Sequence, residues 1–138
     1  MIQYIAEEIS LPLLEKSNIT NWIKKTAAVY GMKTGDISFI FCTDERILEI
    51  NNKYLNHNYF TDIITFDYSG NSIISGDIFI SVDTVKSNAE ELNVTFDSEL
   101  KRIIIHGILH LCGQDDKTPE KRSEMTMKEN LALENYKE

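Results

Sequence analysis

Only two cysteines, Cys42 and Cys112, occur in 138 residues, and they show no repeated spacing. No disulfide framework is implied, and a reducing, cytoplasmic setting is expected. Basic charge is also short: 14 Lys and Arg against 22 Asp and Glu leave a formal net charge of −8 at pH 7. A broad electrostatic grip on nucleic acid needs the opposite sign, so binding of that kind would be confined to a local groove, and no DNA partner is expected. Lys101, Arg102, Lys117, Lys121 and Arg122 are the basic residues near the most informative stretch. Such charges ordinarily form a solvated helix face rather than a phosphate track. Long apolar runs are missing as well, which excludes a spanning helix, and Met1–Glu8 has neither the basic region nor the apolar core of a signal peptide. There is no internal repeat, low-complexity segment or linker. With 42% hydrophobic and 26% charged residues, the chain is expected to fold as one globular domain, 1–138, with a core of its own.

What is present is periodicity. Residues 2–9 read as a strand. Ile19, Trp22, Ile23, Ala27 and Tyr30 recur at helical spacing up to Gly31, with Trp22 expected in the core. Residues 36–42 alternate, yet both faces are nearly equally apolar. Thr43 or Asp44 can cap a helix through Ile47, Ile50 and Tyr54, which breaks at Asn56–Phe60. Residues 62–68 and 76–82 read as hairpin strands around Ser69-Gly70-Asn71. Asp83 can cap a short helix, and Asp97 or Ser98 a longer one whose Leu100, Ile103, Ile104, Ile108, Leu109 and Leu111 wrap much of its circumference. Thr118-Pro119 opens a last helix, with Met125, Met127, Leu131, Ala132 and Tyr136 as its apolar face. The order β-α-β-α-β-β-α-α-α implies an α+β domain: a small mixed four-stranded sheet, about five helices, and a central helix against the sheet.

That central helix carries two of the three histidines, in His106-Gly107-Ile108-Leu109-His110-Leu111-Cys112-Gly113-Gln114-Asp115-Asp116. Residues four apart share a helix face, so His106 and His110 aim at one point. Gly113 can end the helix in a left-handed conformation and let the chain return Asp116 to the same imidazoles. Two nitrogens and one carboxylate oxygen suit zinc or a similar divalent ion, with a fourth position left to water. A bare HxxxH is a weak signal, equally met by histidines hydrogen-bonded inside an ordinary buried helix. The whole pattern H-x3-H-x2-G-x2-D has metzincin ligand spacing. Gly107 stands where a zincin protease carries its catalytic Glu, which argues against peptide hydrolysis by that route. Either bulk beside a metal would block a phosphate there, or the helix packs closely on a strand.

The same stretch resembles the YbeY family, bacterial single-domain metal-dependent endoribonucleases associated with ribosomal RNA maturation, whose motif runs H-G-x-L-H-L-x-G-x-D-H. Asn51–Tyr54, Thr61–Phe66 and Gly76–Ile80 are similar, in the same order, to the family's L-N-x-x-Y/F, T-D-V-L-S-F and G-D-I-x-I segments. The resemblance covers nearly the whole chain. It implies metal ligands at His106, His110 and Asp116, where Asp116 takes the place of the family's third histidine. Asp115, at the family's Asp, is the runner-up ligand. An anionic ligand lowers the net charge of the ion, so weaker acidification of water is expected. Cys112 points about 200° around the helix from His110 and should belong to the core. Leu55 stands where many members carry an Arg suited to phosphate, and His57 is either a substitute or a plain loop residue.

The expected activity is therefore single-strand endoribonuclease cleavage assisted by one divalent ion, zinc being the first choice. Its partners would be ribosomal RNA or a pre-ribosomal particle and its proteins. No general base is evident; Asp62 is the candidate, although strand-end hydrogen bonding explains it equally well. The rival readings are a non-catalytic ribosome-assembly factor with a structural metal, and a metallohydrolase of another substrate.

Overall fold

The computed structural model of the chain describes residues 1–55 and 61–136. Along them run β1 (Ile2–Ala6), α1 (Lys16–Val29), β2 (Lys33–Cys42), α2 (Asp44–Tyr54), β3 (Ile63–Asp67), β4 (Ile73–Ser81), α3 (Val82–Leu92), α4 (Phe96–Leu111) and α5 (Pro119–Glu134). The sheet order is β1-β2-β4-β3. β1 and β4 both lie parallel to β2, while β3 is an antiparallel edge strand on β4. The architecture is the expected α+β one, with a four-stranded mixed sheet and, among the described residues, five helices. Asn71 and Ser72 turn the β3–β4 hairpin with φ of 54° and 63°, and Gly70 and Ile73 bridge beneath them. Two positive φ values in a two-residue loop match the right-handed twist of the strands.

Helices cover both faces of the sheet, which explains why β2 is apolar on both sides. Ile37, Phe39 and Phe41 point into the large core with Trp22 and Ile23 of α1 and Ile104 and Ile108 of α4. Cys42 points the other way, into a smaller cluster with Ile47 and Ile50 of α2 and Ile64 of β3. β1 is shorter than the expected 2–9. Its last partner is Phe41, and β2 ends one residue later.

Helix starts differ from expectation in an instructive way. The α4 cap is Thr95, whose Oγ1 accepts from Ser98 N at 3.1 Å, and not Asp97 or Ser98. A cap must be extended, as Thr95 is with ψ of 154°, whereas Asp97 already sits in the first turn. There it faces the positive end of the helix dipole and pairs with Lys101 at 2.7 Å. Ser81, not Asp83, caps α3. Asp83 reaches across to the backbone N–H of Asp44 at 3.1 Å, and the Asp44 carboxylate accepts from the hydroxyls of Ser81 and Thr84. The starts of α2 and α3 are thereby tied together. Thr43 caps α2 and Thr118 caps α5, with Pro119 in its first turn, as expected.

Trp22 is core, and its indole Nε1–H donates to the Ala132 carbonyl at 2.7 Å, fastening α1 to α5. On α5 the expected apolar face needs correction. Met125 and Ala132 are buried, but Met127 and Leu131 are 57% and 51% exposed. The buried stripe is completed by Glu129, at the helical spacing between Met125 and Ala132.

Candidate metal centre

α4 lies with Gly107 directly against the sheet. A Cβ at that position would stand 3.1 Å from the Cδ1 atoms of Ile63 and Ile78 and 3.2 Å from Ile78 Cγ2. The absent side chain is therefore a packing requirement. The steric idea of a phosphate kept clear by glycine is replaced, because the position faces β3 and β4. Close approach here brings the last turns of α4 beside β3, with the two histidines at the margin of the contact.

The end of α4 is a Schellman turn. Gly113 N donates to His110 O at 3.0 Å and Gln114 N to Leu109 O at 2.9 Å, with Gly113 at φ 99°. Gln114, itself buried, then anchors the returning loop. Its Nε2 donates to Asp115 O at 2.8 Å and its Oε1 accepts from Lys128 Nζ of α5 at 2.6 Å. The loop sets Asp116 over the helix face: its Oδ2 is 3.4 Å from His106 Nε2 and 3.5 Å from His110 Nε2. Among the described residues these three form the one group of possible ligands whose donor atoms all lie within 4.8 Å of one another. Asp115 is exposed and turned away, its Oδ1 accepting from Lys117 N at 2.7 Å.

These separations carry information. Two ligands each about 2.0–2.1 Å from a zinc ion, at a tetrahedral angle, are about 3.3–3.4 Å apart. The histidine–carboxylate gaps of 3.4 and 3.5 Å are close to that length and too long for direct hydrogen bonds of the usual 2.7–3.2 Å. The donor set suits a divalent ion in chemistry, and its two histidine–carboxylate gaps suit one in size.

The surroundings hold residues that periodicity alone did not single out. Glu129 Oε2 lies 2.6 Å from His106 Nδ1, and its Oε1 accepts from Arg102 Nη1 at 2.9 Å. Burial pulls the His106 ring below its ordinary value, but the hydrogen bond to Glu129 and the charges of Glu129, Asp116 and Asp62 overcome it, leaving the ring raised. His110 is lowered, by burial and then by the charge of His106, against Asp116 and a backbone hydrogen bond to Gln114. Glu129 is held low: burial works against its charge, yet the His106 and Arg102 hydrogen bonds prevail. Asp62 is raised, chiefly by burial and against the opposing charge of His106. Its backbone carbonyl accepts from Ser81 N at 2.9 Å, pinning it at the entry to β3. Glu99, a further buried acid on α4, is raised by burial and by the charge of Asp62. A signal for Glu129 was present in the sequence, as an acid on the buried stripe of α5.

Cys112 is half-buried against the core, and burial pushes its thiol up to about 11 against the pull of Lys128, as befits a packing residue. Arg102 is not a solvated charge but is committed to Glu129 and, at 2.9 Å, to Asn130. His110 also lines a cleft of about 350 Å³ with Asn51, Leu55, Thr61, Ile63 and Thr65, running from the end of α2 along β3. Leu55 ends α2 there, 40% exposed. His57 lies outside the described residues. No helix among the described residues is long and apolar enough to cross a membrane.

Fold and site together define an α+β protein with a helix-borne His/His/Asp group that could hold a cation, beside a cleft. The chain belongs to the YbeY family: the family model described as endoribonuclease YbeY matches residues 3–137. Relatives named endoribonuclease YbeY include one from Parabacteroides distasonis, 58% identical over 96% of this chain and 93% of its own. Another, from Phocaeicola vulgatus, is 55% identical over 96% of each chain. A solution structure of a Thermotoga maritima protein superposes with a TM-score of 0.68 at 27% identity, covering 97% of this chain and 87% of that one.

Proposed function

We propose that this chain is a metal-dependent endoribonuclease that cleaves single-stranded RNA during ribosomal RNA maturation, working in the cytoplasm as one domain. His106, His110 and Asp116 would hold a single divalent ion, zinc being the best match to two imidazoles and a carboxylate. The observation that carries the reading is the pair of 3.4 and 3.5 Å gaps between Asp116 Oδ2 and the two Nε2 atoms, in a chain of the YbeY family.

When bound, the ion supplies charge stabilisation for a phosphoryl oxygen and lowers the pKa of a water at its open position. The chain's own residues do the rest. The cleft beside His110 offers Asn51, Thr61 and Thr65 as polar groups and Leu55 and Ile63 as apolar walls, which suits an unpaired nucleotide laid along β3. Asp62 is the proton acceptor. Its raised pKa brings a carboxylate nearer to the operating pH, where general-base catalysis is more effective. Asp116 adds negative charge where the family motif has a neutral imidazole, so the acidification of water should be weaker than at a three-histidine site. With a net charge of −8, affinity for RNA must come from local contacts and from docking on a pre-ribosomal particle and its proteins.

The test is elemental analysis of the native protein beside His110→Ala and Asp116→Ala, each assayed on structured ribosomal RNA with and without chelator. About one ion per chain, lost in both variants together with cleavage, is the expected result. Metal without cleavage would transfer the function to ribosome assembly. Metal and cleavage retained in Asp116→Ala would remove the third ligand.

A further inference from the structure

From this metal-site reading, and resting on it, we infer that Glu129 is a positioning residue for the metal ligand His106, held in place by Arg102. It fixes the proton of the ring on Nδ1 and leaves Nε2 free to face the ion.

The geometry assigns each atom a separate task. Glu129 Oε1 is engaged by Arg102 Nη1 at 2.9 Å, and Oε2 by His106 Nδ1 at 2.6 Å, at the short end for a hydrogen bond to a carboxylate. With Nδ1 so occupied, Nε2 is the ring atom presented to Asp116. A carboxylate 6% exposed on a stripe otherwise made of Met125 and Ala132 is expensive to bury, and an apolar residue would pack there without that cost. Its two partners account for its presence. The Arg102–Asn130 bond at 2.9 Å fixes the clamp from the far side. His106 is thus oriented by an anion from another helix. A carboxylate behind a ligating imidazole sets the tautomer and makes the ring a better donor, and its removal commonly weakens metal binding about 10- to 100-fold.

The experiment compares zinc affinity, by competition with a chromophoric chelator, for the full chain and for Glu129→Gln, Glu129→Ala and His110→Ala. Nitrogen-15 NMR of the His106 ring is recorded in the metal-free wild type and in Glu129→Gln, at a pH above the raised pKa of the ring, where it is neutral and carries a single proton. In the wild type the ring proton should reside on Nδ1. Folded Glu129→Ala should lose affinity by about 10- to 100-fold, and Glu129→Gln, which keeps the volume but not the charge, by about 10-fold. A purely structural role would lower thermal stability and leave affinity in the folded variant unchanged. Should Glu129→Ala fail to fold, the isosteric Gln variant and the wild-type tautomer still decide. Zinc bound by both Glu129 variants within twofold of the wild type, or a wild-type proton on Nε2, would overturn the role of Glu129 while leaving the metal site intact. No zinc binding by the wild type would overturn the metal reading and this inference with it.

Discussion

Restoring the protease glutamate at Gly107 should destroy the fold rather than create a peptidase. The Cβ of a Gly107→Glu variant would meet three methyl-group carbons of Ile63 and Ile78 at 3.1–3.2 Å, closer than ordinary van der Waals contact. Overpacking of this kind costs about 1–3 kcal/mol. The carboxylate would follow it into the layer between α4 and the sheet, beside a position already fully buried. Burial there would raise its pKa by about 3–5 units, so the group would be protonated at neutral pH. The cost is limited to the gap between its ordinary pKa of about 4.3 and pH 7, and at about 1.36 kcal/mol per unit it comes to about 3–4 kcal/mol. The sum, about 4–7 kcal/mol, reaches the lower part of the range for the whole stability of a typical domain, about 5–15 kcal/mol. Gly107→Ala adds only the methyl group. The isoleucine ends must yield by a few tenths of an ångström, and a gain of about 1 kcal/mol in helix propensity offsets this. Thermal unfolding followed by circular dichroism should show near-native stability for the Ala variant and an unfolded or insoluble Glu variant. A Glu variant that melted like the wild type and lost only RNA cleavage would refute the packing argument and revive steric clearance for a phosphate.

Stability of the metal-free chain should have a shallow maximum near the ordinary histidine pKa of about 6.5. His106, raised, contributes stability that is fully present below that value and is lost as pH rises through its folded pKa. His110, lowered, has the opposite sign and costs stability as pH falls from that value through its folded pKa. Calorimetry in chelator across this range checks the shape, and saturating zinc should flatten the alkaline arm, because the ion takes the neutral rings. Leu55→Arg should strengthen RNA binding and raise the magnitude of its salt slope by about 1 if the new side chain reaches one phosphate, as fluorescence anisotropy at several salt concentrations would show. An unchanged slope would place Leu55 off the RNA path. Trp22→Phe should lose about 1 kcal/mol in urea unfolding, because the Ala132 carbonyl loses the indole donor on the α1–α5 seam and keeps only the bond from Asn135 N. Thr95→Ala should lose about 1 kcal/mol while Ser98→Ala loses less, reversing the order that a cap at Ser98 would give.

Much of the site was legible because its residues are close in sequence. His106 and His110 share a helix face by periodicity alone, and Gly113 announces the turn that returns the chain. The motif put Asp116 ahead of Asp115, but where the Asp116 carboxylate would lie was not legible. It depended on Gln114 being held by Lys128, which sets the path of the loop and turns Asp115 toward Lys117 N. The two apolar faces of β2 signalled a sheet covered on both sides, and the structure supplies α2 as the second cover. The caps of α3 and α4 were misplaced by two or three residues because Ser, Thr and Asp cluster at those starts, and only backbone conformation separates a cap from a first-turn residue. Glu129 escaped because the α5 face was drawn from apolar residues alone, and its burial becomes intelligible only once Arg102 and His106 of a different helix are beside it.

The turn at Gly113 has a consequence for how the protein would acquire its ion. His106, His110 and Asp116 are neighbours along one short stretch, so even the unfolded chain could gather them around a cation with little loop-closure entropy to overcome. Binding to the unfolded form subtracts from the stabilisation an ion can give the native one, and zinc should raise the melting temperature less than its native-state affinity suggests. The carboxylate of Glu129 arrives only when α5 has docked on α4. The difference in affinity between folded and unfolded chain would then depend on that docking, so a nascent chain would hold its metal loosely until the last helix is in place.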